Sequence, residues 1–433
     1  MSRLTGLLAA AGLLLLVGAV PAAADTPNRH QAAGVAAGKW LVTKLVDDRY
    51  PGFAGPDWGL TIDALMALKA TRADDAAAAA IADAIHADGA GYYTYKSGDL
   101  QAWTAGATAK TLVAAVTAGR DHTTFTGRDM RQATLDLVAK DGPYVGQVQS
   151  KNKNGKPGPT TDANTFDQAL AVIGLARTGG VPKPVVDYLV KQQCPAGGFR
   201  LGGFDEGKES CISDTAIDND ATAMAVLALQ EAGATEAAEK GVRNLLDQQA
   251  ADGSLKGKAP EVPNTNSTGL AGLALTLAGK TAEGDRAADW VLGNQLVAAN
   301  AGPLSGELGA IGWNQEGIEN GKAGAENGKL TIGVDQFIRA GSQAVLALAK
   351  VPLGKEGSLP PSGEPETTPP TTTTTVTSTV PPVAAAGAGG QGSAPNGPLA
   401  NTGVPTLPAV LVGTGLIGAG IALTYLARRR ETS

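Results

Sequence analysis

One pattern recurs six times between residues 31 and 350: a helix-forming segment with charged residues on one side, a Gly-rich loop, and a second segment of small and apolar residues. The copies run from AAGKWLVTKL to TIDALMALKA, AAAIADAI to ATAKTLVAAVTAG, RQATLDLVAKDG to NTFDQALAVIGLARTGG, PVVDYLVKQQ to DNDATAMAVLALQEAG, GVRNLLDQQ to NSTGLAGLALTLAG, and AADWVLGNQL to RAGSQAVLALAK. Each copy reads as a helix pair. The second helix is apolar around its circumference and must be buried, whereas the first carries Lys, Arg, Asp or Glu on one side. Two concentric layers follow, in an all-α fold. Six inner and six outer helices close as an α6/α6 toroid, with the loops after the outer helices gathered around the mouth of a central depression. An open solenoid of the same hairpins is the competing architecture; the count of six favours closure.

Composition agrees with close-packed helices. Aromatics make up only 4% of the 433 residues, against 58 glycines, so surface is buried through many small contacts rather than large rings. The charge balance of 35 Lys+Arg against 41 Asp+Glu, net −6, excludes a basic nucleic-acid binder.

Both ends of the chain read as addresses. Residues 1–24 carry Arg3, an apolar run from Leu7 to Val20 and Ala22-Ala23-Ala24, the layout of a secretory signal peptide cleaved before Asp25. The alternative, an uncleaved anchor, has an apolar run shorter than the roughly 20 residues a span needs. At the other end Leu399-Ala400-Asn401-Thr402-Gly403 precedes an apolar stretch over 404–427 and a basic tail, 428–433, with Arg428-Arg429-Arg430. The stretch is long enough for a transmembrane helix, and the arginines mark its cytoplasmic end. Between the toroid domain (25–351) and this motif, residues 352–398 are rich in Pro, Thr, Ser and Gly and read as a disordered stalk. At ~3.1 Å per residue it reaches on the order of 140 Å.

The C-terminal arrangement resembles the cell-wall sorting signal of Gram-positive surface proteins. The resemblance implies cleavage between Thr402 and Gly403 by a sortase and transfer to peptidoglycan, after a single-pass membrane precursor; Ala400 stands where the usual signal has Pro. A permanent membrane anchor is the other reading, and both place the domain outside the cell. Cys194 and Cys211 are the two cysteines of this exported chain and should form a disulfide, worth about 3 kcal/mol for a loop of this size. With three scattered histidines and no Cys/His cluster, no metal site is readable and no cofactor is expected. Asn314 to Leu330 and the KNKNGKPG run at 151–158 read as a solvated loop and a surface turn.

Gln193-Cys194-Pro195-Ala196-Gly197-Gly198-Phe199 and Gln249-Ala250-Ala251-Asp252-Gly253-Ser254-Leu255 resemble the Q-x-x-x-G-x-aromatic repeat of squalene cyclases and protein prenyltransferases. That resemblance covers most of residues 31–350 and implies the toroid, with Gln and Gly tying an outer helix end to a tight turn. Enzymes and binders share that fold, so it does not fix the chemistry. Asp218-Asn219-Asp220-Ala221-Thr222-Ala223 is similar to the D-x-D-D-T-A motif of class II terpene cyclases, which implies Asp220 as proton donor assisted by Asp218; Ala221 replaces the third acid. Carbocation chemistry needs aromatic walls, and the inner-helix segments offer almost only Phe166 and Phe337.

The same segment is similar to the D-T-x-A-M-A-x-L-A-L run of the transcobalamin and intrinsic-factor family. Asn264-Thr265-Asn266-Ser267-Thr268-Gly269-Leu270-Ala271 resembles that family's N-x-Y-S-T-G-L-A, with Asn266 in place of Tyr. This resemblance implies capture of a corrinoid such as cobalamin by Asp220 and Asn264, with Thr268, Asp167 and Gln168 as further polar groups of the rim. Amide-bearing ligands suit such donors and acceptors. That family's carriers clamp the ligand with a β-rich domain that has no counterpart here, so a separate clamp protein or an uptake transporter would be a partner. Helix capping, worth about 1 kcal/mol, explains Asp220 and Asn264 without any ligand. The leading expectation is a non-catalytic surface binding protein, ahead of a terpene-cyclase-like enzyme and an adhesive or scaffold role.

Overall fold

The computed structural model describes residues 29–52, 55–97, 100–152, 163–202 and 209–356. The expected signal peptide, sorting motif, membrane span and basic tail, and the stalk beyond residue 356, lie outside the described residues. Among those described, no helix is long and apolar enough to cross a membrane.

The outer and inner helices alternate along the chain. They are α1 (Arg29–Val42) with α2 (Trp58–Thr71), then α3 (Asp75–Asp88), a single turn α4 (Ala90–Tyr93) and α5 (Ala105–Thr117). Next come α6 (Met130–Asp136) with α7 (Thr165–Arg177), α8 (Lys183–Lys191) with α9 (Asn219–Glu231), and α10 (Thr235–Gln248) with α11 (Thr265–Leu277). The last pair is α12 (Thr281–Gly293) with α14 (Val334–Ala349), and α13 (Gln315–Ala323) lies between them. Nearly every residue of α2, α5, α7, α9 and α11 is buried, whereas α10 buries only one face. This is the two-layer division that the apolar patterning predicts.

Inner helices pack on their neighbours in the order α2, α5, α7, α9, α11, α14, and α14 returns to α2 while α1 lies against α14 and α12. The hairpins therefore form a ring and not an open solenoid. Small residues set the spacing: a Cβ on Gly269 would stand 2.5 Å from Ala344 Cα, and one on Gly174 would stand 2.9 Å from the Leu112 side chain.

The Gln–Gly tie has a defined geometry. Gln193 Nε2 donates to Gly197 O and to Ala237 O on the next outer helix, both at 2.8 Å; Gln249 does the same to Gly253 O and Glu283 O. Gly197, Gly253 and Gly309 have φ of +91°, +93° and +97°, and a Cβ at each would strike backbone of the following outer helix, so only glycine fits. Gln295 Nε2 reaches Gly309 O at 3.0 Å and Ala33 O at 2.9 Å, joining the last hairpin to α1 and sealing the ring. In the third hairpin Val138 takes the bridging place that Gln193 and Gln295 occupy elsewhere. Gln168 of α7 makes the tie instead, donating to Gly146 O and Val185 O.

Short antiparallel ribbons precede the inner helices: β1 (Pro51–Gly52) with β2 (Gly55–Pro56), β3 (Thr94–Ser97) with β4 (Leu100–Trp103) and β5 (Lys151–Asn152), and β6 (Phe199–Arg200) with β7 (Ile217–Asp218). Lys151 and Asn152 thus belong to a ribbon, while 153–158, the rest of the expected surface turn, lie outside the described residues. The expected loop from Asn314 is helical over α13, because the Asn314 side chain caps Gly317 N. At the opposite end of the ring Leu353 and Glu356 are buried. Thr117 Oγ1 donates to Glu356 Oε2 at 3.3 Å and Arg177 Nη2 to Leu353 O at 3.4 Å, so the folded body continues past the expected boundary at 351.

Candidate functional site

The inner-helix N-termini converge at the ribbon end of the ring, and Asp218 and Asp220 stand there at the start of α9. Asp218 is its N-cap: β7 delivers it in extended conformation and its side chain accepts from Ala221 N at 2.8 Å. Asp220 lies two residues further on and is 7% exposed. Ser267 of α11 hydrogen-bonds its carboxyl, and Asn264 Nδ2 donates to Ser267 Oγ at 3.0 Å, which leaves the hydroxyl proton to point at Asp220. Oδ1 of Asp220 is buried with no hydrogen-bond partner among the described residues.

Burial, reinforced by the Asp218 carboxyl, pushes the Asp220 pKa up from 3.8 to about 8; the Ser267 bond opposes this. Asp218 also moves upward, chiefly through burial, against hydrogen bonds from Ala221 N and Asp220 N and the charge of Lys258. Near neutral pH the pair therefore holds a proton, and Asp220 can act as a hydrogen-bond donor or an acid. A cleft of about 260 Å³ begins at Asn219 beside this turn, lined also by Asp214, Asn244, Lys256 and Lys258.

The other expected rim residues are placed at the same end, and each has a polar group engaged in capping or in ties between elements. Asn264 caps α11 by accepting from Ser267 N at 2.9 Å, and its Nδ2 also approaches Val262 O at 3.3 Å. Asp167 forms a capping box with Asn164 at the start of α7. Both amide protons of Gln168 go to backbone carbonyls, and its Oε1 accepts from Val148 N at 2.9 Å. Thr268 Oγ1 accepts from Leu255 N at 2.9 Å. Thr61 and Thr222 hold Tyr50 N and Phe199 N in the same way, one turn after their caps Asp57 and Asp218. This threonine is the inner-helix counterpart of the Gln–Gly tie. Its signal, a Thr four residues after an Asp or Asn cap, is present in the sequence, where Thr268 reads as a ligand contact.

Phe166 and Phe337 are fully buried, and Cys194 and Cys211 are joined as a disulfide. Leu399, Ala400, Thr402 and Gly403 lie outside the described residues. Among the described residues no group of His, Cys, Asp and Glu has a metal-binding arrangement.

A second polar group on the inner layer escapes sequence reading. Lys110 of α5 and Asp63 of α2 form an ion pair at 2.7 Å with side-chain exposures of 0% and 3%. Asp57 and Arg339 pair beside them at 2.8 Å. Ser267 is likewise legible only once α9 and α11 are side by side.

No protein-family model and no curated protein matches the chain. Among solved structures it is similar to a protein from Actinoplanes, at 18% identity over 76% of this chain and 100% of that one, with a TM-score of 0.49. It is also similar to a type II terpene cyclase from Scytonema, at 15% identity over 76% and 98% of the two chains and a TM-score of 0.48. An unsaturated glucuronyl hydrolase from Bacillus is similar at 12% identity over 73% and 95%, with a TM-score of 0.47. The neighbours are α/α toroids of terpene cyclase, prenyltransferase and glycoside hydrolase type. At these identities and TM-scores the likeness assigns no role to any residue.

Proposed function

We propose that this chain is an exported, wall-anchored surface protein whose toroid binds a small molecule without transforming it, and that Asp220 is the anchor of that ligand. The observation that carries this reading is the carboxyl itself: buried, with one oxygen unpartnered among the described residues, and with its pKa pushed up to about 8 by burial. A buried polar atom without a partner costs about 1–3 kcal/mol, and a ligand that supplies the missing hydrogen bond recovers that energy. A neutral carboxyl favours an uncharged partner such as a carboxamide. A corrinoid, whose edge carries amides, is the ligand suggested by the resemblance of the α9 and α11 starts. Because Asn264, Gln168 and Thr268 are already engaged, contact centres on Asp220 and not on a full ring of amides. The sorting motif supports display at the wall, with sortase and peptidoglycan as partners.

The raised pKa also favours a second reading, in which Asp220 protonates an alkene as in type II terpene cyclases. The burial of Phe166 and Phe337 in helix packing counts against it, since a cation needs exposed rings. An absorbance titration of the purified protein with cobalamin separates the two. The binding reading expects a spectral shift, with affinity about tenfold weaker in Asp220→Ala, the loss of one buried hydrogen bond. The absence of any shift removes the corrinoid. Turnover of squalene that disappears in Asp220→Asn would establish the acid reading in its place.

A further inference from the structure

The Lys110–Asp63 pair has no part in the site above, and its surroundings are unusual for two charges. Both groups sit inside the ring's inner layer, and among the described residues no other ion pair buries both partners so far. Lys110 Nζ stands 2.7 Å from Asp63 Oδ1 and has no further acceptor among the described residues. An ammonium has three protons to place, so the charged form is poorly satisfied here. Burial lowers the Lys110 pKa, although the Asp63 charge opposes this. The two helices that carry them, α2 and α5, are packed neighbours, so the amine and the carboxyl are held together for the life of the fold.

An amine and a carboxylic acid in contact, shielded from water, are the reactants of a condensation, and confinement of this kind is equivalent to a very high local concentration. We infer that Lys110 and Asp63 become joined by an intramolecular amide bond that staples α2 to α5. The step balances without any co-reactant. A proton passes from Nζ to the Asp63 carboxylate, giving neutral amine and neutral acid. The nitrogen lone pair adds to Cγ, the carbon–hydroxyl bond breaks, and the hydroxyl leaves with one amine proton as water. The product is a neutral secondary amide in place of two buried charges, so the desolvation cost of the pair disappears.

Peptide mass spectrometry of the full chain, reduced, alkylated and digested with trypsin, tests this directly. A staple joins the peptide 50–69, which contains Asp63, to the peptide 97–120, in which cleavage after Lys110 is blocked, at the sum of their masses less one water. Recovery of 50–69 and 97–110 as separate peptides in full yield would overturn the inference. Asp63→Ala removes the joined species and restores cleavage after Lys110. If that variant fails to fold, the wild-type digest alone still decides the question.

Discussion

Two parts of the inner layer bury acid groups and treat them in opposite ways. On the α2, α5 and α14 side, Asp63 meets Lys110 and Asp57 meets Arg339, so each carboxylate has a cation within 2.8 Å. On the α9 and α11 side, the polar groups acting on Asp220 among the described residues are the Ser267 hydroxyl and a second acid, and its pKa rises to about 8. Burial acts on both; the partner decides whether a group remains a charge or becomes a neutral acid. A basic partner in contact ties adjacent helices together, and the acid without one retains capacity for a ligand.

The largest effect that can break this contrast lies in the paired sector. Lys110→Met leaves Asp63 buried without its partner and should cost about 3–5 kcal/mol in urea unfolding. If the single variant unfolds like wild type, the pair does not hold α2 to α5. The next effect has the opposite sign. The folded pKa of Asp220 lies above its ordinary 3.8, so between there and about 8 the folded state binds more protons than the unfolded state, and stability falls as pH rises through that window. Asp220→Asn removes the dependence due to this group and should raise stability at neutral pH by on the order of 2 kcal/mol. Glu356, also buried and raised to about 8, contributes a slope of the same sign that persists in the variant. A wild-type profile that rises over this window would contradict the neutral acid.

Much of the ring was legible in the chain, because six hairpins of fixed pattern leave few ways to bury the second helix. The Gln193 and Gln249 ties were legible because Gly follows four residues later in each. Gln295 was not, since its glycine partner is Gly309 and α1 completes the contact from the far end of the sequence. Lys110 and Asp63 were hidden for a related reason: each looks like an isolated charge in an apolar segment until ring closure places α2 beside α5. At the candidate site the sequence located Asp220 but not what distinguishes it from Asn264 and Thr268. All three begin inner helices; only the structure separates the carboxyl with an open oxygen from the caps and ties.

The central claim concerns the charge on Asp220, and that charge is directly observable. Difference infrared spectroscopy of wild type against Asp220→Asn, taken from about pH 5 to about pH 9, isolates the carbonyl band of its protonated carboxyl. The account predicts a band that persists at neutral pH and disappears with a midpoint near 8. A carboxylate already ionised at about pH 5 would contradict it, and with it the assignment of Asp220 as a neutral anchor.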